Sequence, residues 1–178
     1  PIDTRATDII ELEIMEDARI VRVAINRPID RPVELALFNS FEREILKEKI
    51  NVGETFESQI DFSELRNGTY TLVSTTGNMR THKVFDVRNS RVEMIDRYMS
   101  FIPIFLQDDE ALTVYHLNKA GSEIRVTVEN DFYYFLETTF INDSGVFEKD
   151  FSFELMEPGT YQLTFNSNGE MFTHMFEV

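Results

Sequence analysis

Residues 66–73 read "RNGTYTLV", and residues 157–164 read "EPGTYQLT". A Gly-Thr-Tyr-x-Leu core therefore occurs twice, 91 positions apart, each time at the head of a strand-like run. Working outward from the two copies, Ile9–Val87 lies over Ser100–Val178 without a gap, and 15 of the 79 pairs are identical. They include Asp17/Asp108, Asn39/Asn130, Phe56/Phe147, Phe62/Phe153, Tyr70/Tyr161 and Phe85/Phe176. Modest identity without insertions reads as a duplicated module, and two copies are too few for a solenoid.

Within each copy the apolar period is 2. "IELEI" (10–14), "IVRVAI" (20–25), "VELAL" (33–37) and "TYTLV" (69–73) carry β-branched and apolar residues in strand order. Turn residues separate them at Asn26-Arg27-Pro28, Asn51-Val52-Gly53, Asn67-Gly68 and Gly77-Asn78. Strands are predicted near 9–15, 19–26, 33–39, 44–51, 55–61, 69–75 and 80–87, with a second set 91 further on. "SFEREILKEKI" (40–50) is the best helical rival, but its counterpart "DFYYFLETTFI" is aromatic and β-branched, which favours strand in both. About seven short strands per copy predict an all-β chain: two tandem immunoglobulin-like or fibronectin-III-like sandwiches over 1–88 and 91–178.

In such folds a tyrosine at the start of the sixth strand buries its ring and bonds upstream backbone. Tyr70 and Tyr161 are assigned that corner, with Leu65 and Met156 beside them and Gly68 and Gly159 in the tight turn that feeds the strand.

Composition narrows the function classes. The 178 residues carry 17 Lys and Arg against 32 Asp and Glu, a net charge of −15. That balance repels phosphate backbones and anionic lipid, so neither nucleic acid nor a membrane surface is expected as partner. Cysteine is absent, which removes disulfides, thiol catalysis and Cys-ligated zinc. The most apolar run, "YMSFIPIFL" (98–106), is too short to span a bilayer and contains Pro103. The opening "PIDTRATD" reads as that of a mature or trimmed chain.

The first copy resembles the C-terminal sorting domains of Bacteroidetes type IX secretion cargo. Those domains show a strand ending in Asn, a segment ending Gly-x-Tyr, and a closing Lys-x-Phe/Val strand. Phe62, Leu65, Gly68, Tyr70, Lys83 and Phe85 occupy these positions, and Phe153, Met156, Gly159, Tyr161 and Phe176 repeat them in copy two. Phe41 and Glu42 stand where that family usually has a turn glycine. The resemblance implies an exported immunoglobulin-like protein: secreted, periplasmic or on the cell surface.

Sites of chemistry are scarce in the sequence. His82, His116 and His174 are the only histidines and form no metal-ligand spacing or nucleophile context. Asp108-Asp109-Glu110 lacks the spacing of a calcium loop and reads as a solvated turn. The glycines form no phosphate loop. No catalytic residue, metal or cofactor is therefore assigned.

The difference between the copies is more informative. Copy one (1–87) has net charge −5 and 5 Phe; copy two (88–178) has net charge −10 and 11 Phe. The apolar gains fall where copy one is charged. Glu11 and Glu13 become Ile102 and Ile104; Glu42, Arg43 and Glu44 become Tyr133, Tyr134 and Phe135; Lys49 becomes Phe140. Side chains alternate across a strand, so Ile102 and Ile104 are expected on an outer face. These six residues form the candidate interaction patch, to be covered by copy one, a second chain or a ligand. The expected function is a non-catalytic exported tandem protein for protein interaction, self-association, adhesion or surface anchoring and sorting. The alternative is a carbohydrate-binding accessory module, with Tyr133 and Tyr134 stacking on sugar rings.

Overall fold

The computed structural model describes residues 9–15, 19–89, 91–118, 121–131, 134–143 and 145–178, with the side chains of all of these except Tyr134 and Phe135. Every regular element among the described residues is a β-strand. The chain divides into two compact units, Pro1–Ser100 and Phe101–Val178.

The first unit contains β1 (Glu11–Met15), β2 (Ile20–Ile25), β3 (Val33–Asn39), β4 (Glu44–Ile50), β5 (Phe56–Asp61), β6 (Gly68–Thr76), β7 (Met79–Arg88) and β8 (Arg91–Phe101). One sheet has the order β1-β2-β5 and the other β4-β3-β6-β7-β8. Val21, Val23 and Ile25 alternate inward from β2 to meet Leu35 and Leu37 of β3, Leu72 of β6 and Phe85 of β7. Each such burial contributes about 1.5–3 kcal/mol. Lys83, 5% exposed, spends its charge inside the fold by donating from Nζ to the Ile10 carbonyl at 2.9 Å.

The second unit repeats the plan with β9 (Ile104–Gln107), β10 (Ala111–Leu117), β11 (Ser122–Glu129), β12 (Tyr134–Asn142), β13 (Val146–Ser152), β14 (Thr160–Ser167) and β15 (Glu170–Glu177). Its sheets are β9-β10-β13 and β12-β11-β14-β15. Leu112, Val114, Ile124, Val126, Phe165 and Phe176 fill its core. Each unit is thus an immunoglobulin-like sandwich of a three-stranded and a four-stranded sheet, with β8 added to the first.

The duplication extends to irregularities. The β3–β4 register shifts between Leu37 and Phe38, and the β11–β12 register shifts between Val128 and Glu129, the same repeat position. Ile20 pairs with Asp61 as Ala111 pairs with Ser152. One hairpin departs. Glu13 lies opposite Arg22, whereas its counterpart Ile104 lies opposite Tyr115, two residues further along. A slip of two keeps every side chain on its original face.

Two expectations change in detail. Copy one was expected to end near 88 and copy two to begin at 91. Instead Arg91–Phe101 forms β8 beside β7, and the units divide between Ser100 and Phe101. Val92 enters the first core, Tyr98 stacks on His82 at 4.4 Å, and Ser100 Oγ lies 2.8 Å from His82 Nε2. Pro103, with no N–H to give a ladder, sits between β8 and β9. Glu44–Ile50 is a strand, as expected over the helical rival, entered from a tight turn.

Candidate functional site

The two tyrosines lock equivalent corners. Tyr70 donates its hydroxyl to the Arg66 carbonyl at 2.9 Å, and Tyr161 donates to the Glu157 carbonyl at 2.9 Å. Tyr70 meets Phe62 edge-on at 5.5 Å, and Tyr161 stacks against Phe176 at 5.7 Å. The glycines before them differ. Gly68 has φ 155°, in the region glycine favours, whereas Gly159 has no left-handed backbone and exchanges two hydrogen bonds with Val178. Gly159 thus pairs with Val178 in an ordinary backbone conformation, with nothing within 4 Å of an added Cβ, so the tight turn expected to need glycine is not found there.

The outer face of each three-stranded sheet follows from strand alternation. In the first unit Arg22 sits between Glu57 at 3.0 Å and Glu13 at 3.2 Å; the Glu57 hydrogen bond first and the Glu13 one second hold its guanidinium pKa above the ordinary value. In the second unit the pairing sets Ile104, Tyr115 and Glu148 in one row across β9, β10 and β13. Leu106, Thr113 and Asp150 form the next row, and Leu117 pairs with Val146. Ile104 is 43% exposed, Leu106 55% and Val146 49%. The Glu148 charge pushes the Tyr115 phenol up, and Thr113 donates to Asp150 at 2.8 Å. An ion-paired face in one unit is thus an apolar face edged by carboxylates in the other.

The six-residue patch expected from sequence is not one surface. Ile104 lies on that outer face, and Ile102 is half-buried in the turn after β8. Tyr134 and Phe135 begin β12, in the other sheet, and Tyr133 lies outside the described residues. Phe140 packs inward, edge-on to Phe147 at 5.3 Å. Leu106, Tyr115, Leu117 and Val146 join Ile104 instead. Period-2 reading marks Tyr115 as outward, but only the pairing register shows what it faces.

The polar clusters are closed. His116 Nε2 lies 3.2 Å from Ser167 Oγ, the one buried histidine–serine pair among the described residues of the second unit. Ser167 is 3% exposed and His116 6%, so no acyl group reaches the hydroxyl. His116 Nδ1 has no hydrogen-bond partner to orient the ring as a base. Burial lowers the His116 pKa to about 4, leaving it neutral at pH 7. His174 is also held low by burial and stacks on Phe105 at 4.6 Å. Asp108 accepts the N–H groups of Glu110 at 2.8 Å and Ala111 at 2.9 Å, which hold its carboxyl low and commit it to its own turn. No group of three potential metal ligands occurs among the described residues. A cleft of about 260 Å³ opens between β12 and β13, floored by Val128, Leu136, Phe140, Phe151 and Met156.

Comparison with known proteins adds a family match over part of the chain. Residues 18–87 match the secretion system C-terminal sorting domain. The matched span ends at Val87 and contains Phe62, Leu65, Gly68, Tyr70, Lys83 and Phe85. The match indicates secretion to the cell surface. No curated protein matches the chain. Among solved structures, a biofilm-associated protein BSP domain is 16% identical, with 95% of this chain and 29% of that chain covered and a TM-score of 0.27. The chain thus spans less than a third of that structure's length. A structure described as the basis of neurohormone perception by the receptor tyrosine kinase Torso is 10% identical, with 94% and 71% covered and a TM-score of 0.27. The human OSCAR ligand-binding domain is 10% identical, with 89% and 88% covered and a TM-score of 0.25.

Proposed function

We propose, from the sorting-domain match over residues 18–87, that the chain is carried to the cell surface and acts there by polypeptide contact, in adhesion, assembly or anchoring, without catalysing a reaction. The match is the observation that carries this reading. Two features of the second unit support it: the apolar face around Ile104 and Leu106, and the burial of its histidine–serine pair. An exposed apolar face edged by carboxylates suits another polypeptide better than an anionic partner.

The experiment appends residues 1–178 to a reporter in a bacterium with type IX export. The reporter should reach the surface, and Tyr70→Ala should hold it back by unfolding the matched unit. Ile104→Glu with Leu106→Glu should leave display unchanged and lower attachment between displaying cells or to their substratum. A reporter retained inside the cell defeats the sorting role. Attachment indifferent to the double substitution defeats the contact role.

A further inference from the structure

The cleft between β12 and β13 follows from the sheet order. β12 stands at the end of one sheet of the second unit and β13 at the end of the other, so the two strands face each other across a seam of the sandwich. The seam holds about 260 Å³. Its floor is core: Val128 is 1% exposed and Phe151 7%. Along β12, half-buried Leu136, Thr138 and Phe140 alternate with exposed Glu137, Thr139 and Ile141, so the inner face of the strand lines the cleft.

Lys149 lines it too. On β13 it stands between Phe147 and Phe151, both buried, and opposite Val114, which is fully buried. Strand alternation therefore sets Lys149 on the inner face. The residue is exposed, so its stem covers the apolar wall while its ammonium reaches the mouth. That ammonium has no hydrogen bond or ion pair among the described residues. Arg125, by contrast, is bound to Glu123 at 3.5 Å. Asp150, the other charged residue beside the cleft, belongs to the outer face of β13 and accepts the Thr113 hydroxyl at 2.8 Å.

The first unit shows that the fold itself does not call for a cation there. By strand pairing, Leu35 lies opposite Glu48 as Val126 lies opposite Thr138. Val23 lies opposite Ser58 as Val114 lies opposite Lys149. The same seam therefore carries Glu48 and Ser58 in one unit and Thr138 and Lys149 in the other.

We propose that this cleft binds a free small carboxylate with a compact apolar body, the body on the floor and the carboxylate accepting from Lys149 Nζ. A dry cavity of about 150 Å³ takes benzene, so the seam takes one ring with a short chain, about ten non-hydrogen atoms. The acidic charge of the rest of the unit is screened beyond about 8 Å, which leaves Lys149 as the nearest charge on the inner face. The site lies on the opposite side of β13 from the face around Ile104 and adds a ligand to the contact reading above.

The test titrates residues 1–178 with phenylbutyrate, read by calorimetry and by amide NMR shifts. Binding should saturate, with the largest shifts at residues 136–140 and 149–151 and none at 46–50 or 58–60 of the first unit. Phenylbutyramide keeps the body without the charge and should bind about tenfold more weakly. Lys149→Met should bring the acid down to the level of the amide and leave the amide unchanged. Thr138→Phe fills the cleft and should abolish binding of both; if it unfolds the second unit, the smaller Thr138→Leu should weaken both. A peptide ending in Phe with a free carboxylate tests a polypeptide terminus as the source, and its tighter binding would overturn the assignment to a free acid. No binding, shifts centred elsewhere, equal affinity for acid and amide, or full affinity in Lys149→Met overturns the proposal.

Discussion

The Tyr161 hydroxyl donates to the carbonyl of Glu157, four residues upstream, at 2.9 Å, and Tyr70 repeats the bond to Arg66 at the same distance. Both rings are buried, so the bond and the ring separate cleanly by substitution. Tyr→Phe at either position should cost about 1 kcal/mol, the scale of one hydrogen bond. Tyr→Ala should cost about 3–5 kcal/mol through the cavity left behind. Denaturant melts of the four single variants measure this, and a neutral Tyr70→Ala would remove the corner from the account of the fold.

His116 gives a pH dependence. Burial lowers its folded-state pKa to about 4, below the 6.5 of an exposed imidazole. The unfolded chain therefore binds the proton more tightly. The contribution is fully present above about pH 6.5 and is lost as pH falls, levelling near 4 after a total of about 3 kcal/mol. His116→Phe keeps a ring against Phe165, which His116 meets edge-on at 5.0 Å, and abolishes the titration. Urea melts at pH 7.5 and 4.5 should show the second unit of the intact chain losing more stability on acidification than that of the variant. Equal losses would mean that His116 titrates normally.

The β3–β4 turn holds a non-glycine residue in the left-handed region. Glu42 has φ 58°, and its N–H donates to the Asn39 carbonyl at 3.0 Å. The Asn39 side chain accepts the N–H groups of Phe41 at 3.0 Å and Arg43 at 3.1 Å, which holds the turn in place. Glu42→Gly should raise stability by about 0.5–1 kcal/mol, the relief of strain less the added freedom of the unfolded chain. Gly53→Ala should do the reverse by about 1 kcal/mol, because φ is 84° although nothing lies within 4 Å of an added Cβ. Thermal melts that move both variants in the same direction would show that backbone conformation does not govern these turns.

The sequence by itself determined the duplication, the strand periodicity, the tyrosine corners and the family resemblance. Each rests on local order: alternation selects a face, and Gly-Thr-Tyr carries its hydrogen-bond partner only four residues away. The tertiary structure alone decided which apolar residues share a surface. Ile104 and Phe140 both replace charge in copy two, yet one lies outward on β9 and the other packs against Phe147, because face depends on which sheet a strand joins. It also decided that Arg91–Phe101, which the repeat assigns to the second copy, pairs beside β7. Pairing between strands is made by backbone groups that every sequence carries, so its register and its open edges become visible only when the strands are side by side.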